Sequence, residues 1–171
     1  EVAMRDTLAL VLVTPEFLYL VEPTGEKGSR FLDDWELASR LSYFLWSTMP
    51  DEKLFSLAKA GQLREPGALA RQVKRMLDDP RSWEFVRHFA DQWLNLSGLK
   101  RVAVNPQYHP NFDDLLKDDM RLETQHFFGE ILRTNSSALQ FIDSKFAMVN
   151  RPLAAHYGIK GPRGNGFERV S

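Results

Sequence analysis

The chain has 171 residues, 22 basic and 23 acidic side chains, no cysteine, and a 43% hydrophobic content that includes 12 Phe and 4 Trp. That length buries a real core within one domain, the apolar content excludes a disordered chain, and the near-zero net charge leaves no field to draw in nucleic acid or an anionic membrane. The missing cysteines exclude disulfides, thiolate metal sites, cysteine nucleophiles and covalent haem attachment within this segment.

Residues 2–13 (VAMRDTLALVLV) are helix formers, apolar on nearly every side and ended by Thr14 and Pro15. They predict a buried helix packed on the same domain. After the apolar PEFLYLVE, residues 23–30 (PTGEKGSR) form a polar loop, so 1–31 reads as an N-terminal helix and loop. The stretch from Leu32 to Met49 is the predicted architectural centre. On a helical wheel Leu37, Ala38, Leu41, Phe44 and Leu45 share one side, while Trp35 and Trp46 lie opposite. Two apolar sides predict a central helix, about 33–48, covered from both directions. Asp33 and Glu36 have capping-box spacing, and Pro50 stops the helix.

A short helix (DEKLFSLAKA) closed by Gly61 follows, then an amphipathic one over about 66–77 in which Leu69, Val73, Met76 and Leu77 share a face. Asp79 and Pro80 start a further helix, with Phe85, Val86, Phe89, Ala90, Trp93 and Leu94 expected to turn inward. The longest helix spans about 112–133. Ser137 and Gln140 suggest a short capped helix, FAMVN an extended piece, and Asn150 with Pro152 a last short helix, RPLAAHYG. Four glycines between 158 and 166 make 160–171 a predicted Gly-rich linker. No internal repeat and no two strand-like segments long enough for a sheet are present. The predicted class is all-α, an irregular multi-helix bundle around the 33–48 helix, with the helical domain proper at 32–159.

Chemistry concentrates on the longest helix, where Asp119, Glu123, His126 and Glu130 fall within about 60° of one another. Glu123 and His126 have the Glu-x-x-His spacing that directs two ligands inward in di-iron bundles, although such a site uses the motif twice and it occurs once here. Two readings follow. One is a metal site or metal-dependent enzyme on Glu123, His126 and Glu130. The other, favoured by the cost of burying an unpaired carboxylate, is a structural ion pair between Glu123 and Arg40 of the central helix. His88 has Glu84 and Asp91 one turn away on either side, but all three share a polar face that reads as solvated surface. His109 and His156 have no acidic neighbour in sequence. Trp35 and Trp46 offer a carbohydrate-stacking platform, although tryptophan at helical spacing is more often core. No phosphate loop, nucleophile elbow or basic aromatic patch occurs, so no catalytic residue is assigned.

The words LDDWELASRLSYFLWSTMPDEKLFSLAKAGQL, VKRMLDDPRSWEFVRHFADQWLNL, MRLETQHFFGEIL and FAMVNRPLAAHYGI, in that order across 32–159, resemble a planctomycete-enriched domain of unknown function found in large exported proteins beside c-type cytochrome modules. The resemblance implies a periplasmic, cell-envelope or extracellular setting. It also implies haem c in a neighbouring module, none in this segment, and partners that are neighbouring domains of the same polypeptide. By the same resemblance, residues 1–22 look like the end of a preceding module and GFERV like the run-in to a following one. The expected function is a non-catalytic scaffold or docking module without membrane insertion.

Overall fold

A computed structural model describes residues 2–19 and 30–171. Helices α1 (Val2–Leu12) and α2 (Pro15–Leu18) precede α3 (Asp34–Trp46), α4 (Glu52–Lys59) and α5 (Ala68–Leu77). A 3-10 turn at Pro80–Ser82 runs into α6 (Trp83–Trp93), and another at Leu96–Arg101 leads towards α7 (Asp114–Arg133). A third turn (Ala138–Phe141), β1 (Ala147–Val149), α8 (Arg151–Tyr157) and β2 (Glu168–Val170) follow. The class is all-α; the two strands pair antiparallel with Met148 opposite Arg169. Apart from Arg30, the polar loop expected at 23–30 lies outside the described residues.

Side-chain oxygens set the helix starts, because the first backbone N–H groups of a helix have no partner within it. Asp33 accepts from the Glu36 amide at 2.8 Å while Glu36 accepts from the Asp33 amide at 2.9 Å, completing the capping box. Asp51, Asp113 and Asn150 cap α4, α7 and α8 in the same way, accepting from Leu54, Leu116 and Leu153. Ser47 ends α3 in the left-handed conformation.

Among the described residues, three apolar clusters hold the helices together. The first joins α3, α4 and α5 through Ala38, Leu45, Trp46, Leu54, Leu63 and Met76. Trp46 is 2% exposed; its indole N–H donates to the Met76 carbonyl at 2.9 Å, and the Arg81 guanidinium lies 3.5 Å from its ring centroid. The buried Asp34 carboxylate accepts from the Leu63 amide at 2.8 Å and pairs with Arg64, which offsets the cost of burying it. The second cluster joins α6 to α7 through Val86, Ala90 and Phe128. The third joins α7, β1 and α8 through Leu116, Val149, Leu153 and Ala154.

Two expectations about burial are corrected. Helix α3 is covered along a single stripe: Ala38, Ser42, Leu45 and Trp46 are buried, whereas Tyr43 and Phe44, off that stripe, are more than half exposed; Trp35, on the stripe but in the first turn, is nearly half exposed. The buried positions span about 100° of the wheel, so α4, α5 and α6 all gather along one stripe and leave the other flank open. Helix α1 is not buried against the domain. Its described residues from Met4 to Leu12 are all exposed, reaching 71% at Met4 and 68% at Leu10, and its main contact is with α2.

The expected C-terminal linker is instead fastened to the domain. Besides the strand pairing, the Arg151 amide donates to the Gly164 carbonyl at 3.0 Å. Gly161 lies so close to α8 that a Cβ there would sit 2.3 Å from the Ala154 Cβ. Phe167 and Val170 pack on the third cluster. Glycine in this stretch permits close approach of backbone to helix, a role that composition does not separate from flexibility.

Candidate interaction surface

The three α7 residues singled out by spacing turn to three different sets of neighbours. Half-buried Glu123 accepts a 2.6 Å hydrogen bond from the Tyr157 hydroxyl of α8. Burial pushes the Glu123 carboxyl up from its ordinary value, a rise the Tyr157 bond partly opposes; burial also raises the Tyr157 hydroxyl. His126 lies between two rings, with centroids 4.7 Å away at Trp83 and 4.5 Å away at Phe167, the latter stacked at 17°. Burial lowers its pKa, favouring the neutral imidazole. Glu130 turns to cations, Arg133 at 2.6 Å and Arg169 at 3.5 Å. Among the described residues no cluster of three or more His, Asp or Glu side chains is arranged to hold a metal ion.

The expected Arg40–Glu123 pair does not form. Arg40 is exposed on α3, where its charge acts on Glu36. The Arg30 guanidinium bonded to Glu36, helped by the Asp33 amide, holds that carboxyl at about 2. The interhelical pair lies elsewhere: on α6, Asp91 accepts from Arg121 Nε of α7 at 3.1 Å and from the buried Gln125 amide at 2.7 Å. Asp91 thus faces α7 rather than solvent, and its pairing with Arg121 and Gln125 outweighs burial to hold its pKa low. Its neighbour His88 is half exposed, 3.4 Å from Glu84.

The two candidate stacking tryptophans are separated by burial. Trp46 is core, while Trp35 lies at the surface 6.1 Å from the Phe55 ring. A different aromatic run reaches the surface. Phe85, Phe89 and Trp93 recur every four residues along α6 and therefore stack along one ridge. Centroid separations are 5.4 Å for Phe85–Phe89 and 5.8 Å for Phe89–Trp93, and Phe44 of α3 extends the run at 5.0 Å from Phe85. Phe44 is 61% exposed, Trp93 53% and Phe89 40%, where all the α6 apolar residues were expected inside. The i, i+4, i+8 spacing was legible; what covers the ridge was not.

Together with α1, the ridge leaves apolar surface uncovered on two separate elements. Elsewhere three ion pairs tie separate segments together, Asp34–Arg64, Asp51–Arg75 and Asp91–Arg121. No described helix is long and apolar enough to cross a membrane. The architecture defines an all-helical module with interhelical ion pairs and incompletely covered apolar helices.

The family model PSD4, protein of unknown function (DUF1592), matches residues 32–159, and the chain belongs to that family. Its N-terminal limit coincides with the capping box that starts α3, and its C-terminal limit follows α8. No curated protein and no solved structure matches the chain.

Proposed function

We propose that this domain is a non-catalytic helical docking module of a larger exported polypeptide, seated against neighbouring modules of the same chain. The observation that carries the reading is α1, an apolar helix whose described side chains from Met4 to Leu12 are all exposed. A surface helix needs one apolar stripe; apolar residues around most of the circumference call for cover on several sides. The aromatic ridge of α6 supplies a second contact surface, rich in the residue types that dominate protein interfaces. The exported setting and the c-type cytochrome neighbours rest on the family resemblance alone. With no cysteine in the chain, covalently held haem would belong to the neighbour.

Hydrogen–deuterium exchange tests the reading, run on this chain and on a longer polypeptide carrying the adjoining modules. The amides of Met4–Leu12 exchange rapidly in the first and become protected at least tenfold in the second. Equal exchange in both would remove the docking assignment.

A further inference from the structure

A second feature is independent of that apolar surface. Helices α5 and α7, with the start of α6 between them, enclose a cleft of about 950 Å³. Its apolar lining comes from Leu69, Val73 and Leu77 of α5, Trp83 of α6, Leu132 of α7 and Met148 of β1. Gly129 helps set its width: a Cβ there would lie 3.2 Å from the Trp83 ring. The volume is at the upper end of the range typical of small-molecule sites.

The polar groups of the lining separate into two kinds. The charged ones are already partnered: Lys74 with Asp78 at 3.0 Å, Asp79 with Arg81, and Glu130 with Arg133 and Arg169. Of the uncharged ones, the Ser82 hydroxyl donates to the Leu77 carbonyl at 3.0 Å, whereas two others carry no such bond. His126, fixed from both faces by Trp83 and Phe167, makes no hydrogen bond to any described residue, and neither does the Trp83 indole N–H. A neutral imidazole carries one donor and one acceptor. The charged groups here are held in ion pairs with one another, so none stands as a dedicated counter-ion for a charged ligand, whereas a neutral one would meet, on an apolar wall, an imidazole and an indole N–H that have no hydrogen-bond partner among the described residues.

We infer that this cleft binds an uncharged, largely apolar small molecule carrying one or two hydrogen-bonding groups, with His126 as the polar contact that orients it. The aromatic pair on either side of the imidazole supplies preorganisation, because the ring does not have to be ordered on binding.

The test uses N-phenyl-1-naphthylamine, a neutral three-ring probe with one N–H, titrated into the whole chain and followed by its fluorescence. Saturable one-to-one binding is expected. Ala70→Trp, which fills the cleft from α5, and Val73→Glu, which places a charge in its wall, should each abolish saturation while circular dichroism shows the fold retained. His126→Phe keeps the ring stack and removes both nitrogens, and should weaken binding roughly three- to tenfold, the scale of one hydrogen bond. Tyr108→Ala, at an exposed side chain outside the cleft, should leave the titration unchanged. 8-Anilinonaphthalene-1-sulfonate, the same skeleton with a sulfonate, should bind this site more weakly than the neutral probe. Absence of saturation with the wild-type chain, or saturation undiminished in folded Ala70→Trp, would overturn the site. Equal affinity of His126→Phe would overturn the role of the imidazole, and preference for the sulfonate would overturn the neutral-ligand assignment.

Discussion

The two ends of the chain solve opposite problems. Helix α1 is apolar on most sides, yet its described side chains lie open to solvent. The tail beyond Gly158 is short of apolar residues, yet it is held by a strand pair, a glycine pressed on α8, a stacked phenylalanine and an arginine. Apolar content states how much surface an element needs covered. Attachment depends on whether specific partners lie within reach.

The contrast can be broken most sharply at Gly161. Replacing it with Val places a side chain where even a Cβ lies 2.3 Å from Ala154, and overpacking of this kind should cost about 3 kcal/mol in a urea melt. A loss below roughly 0.5 kcal/mol would mean that the tail is not seated. Phe167→Ala removes one face of the His126 sandwich and some of the packing of the third cluster; a half-buried ring of this size should cost about 2 kcal/mol.

Smaller effects sharpen the picture. Arg169 Cζ lies 4.0 Å from the Phe146 centroid and reaches Glu130, and Arg169→Ala should cost about 1 kcal/mol, partly screened by salt. Glu123 gives a pH signature at the α7–α8 contact that precedes the tail. Its carboxyl is raised above the ordinary 4.5 by burial, so its favourable contribution is complete below that pH and is lost as pH rises through the higher folded value. Glu123→Gln should therefore flatten the decline in melting temperature from about pH 4.5 upward; an unchanged profile would refute the assignment. At the other end, Leu8→Ser with Leu12→Ser should leave stability within about 0.5 kcal/mol of the parent, since neither side chain is buried in this chain.

What could be read from the amino acids alone follows the range of the interactions. The Asp33–Glu36 capping box, the Asp79–Pro80 start and the Asn150 cap involve residues at most three apart, and the structure keeps all three. Helix positions were legible for the same reason. The partner of Glu123 was not, because its choice between Arg40 and Tyr157 depends on how α7 rotates against α3 and α8, and a wheel carries no such angle. Asp91 was misplaced likewise: it shares a face with His88, but its carboxylate reaches across to Arg121 and Gln125. On α6, the four-residue recurrence of Phe85, Phe89 and Trp93 identifies a ridge without saying whether another helix sits on it. The Trp83–His126–Phe167 stack joins residues 41 or more positions apart, from α6, α7 and the segment just before β2, beyond any local pattern.

The pairing of β2 with β1 also has a mechanical consequence. Val170 opposes Ala147 and Glu168 opposes Val149, so tension applied at Ser171 loads the outermost pair first. Strands joined in this way separate rung by rung. A tug from the C-terminal side would free Val170, then Arg169 from Glu130, and then Phe167, baring one face of the His126 ring while the capped helices upstream stayed intact.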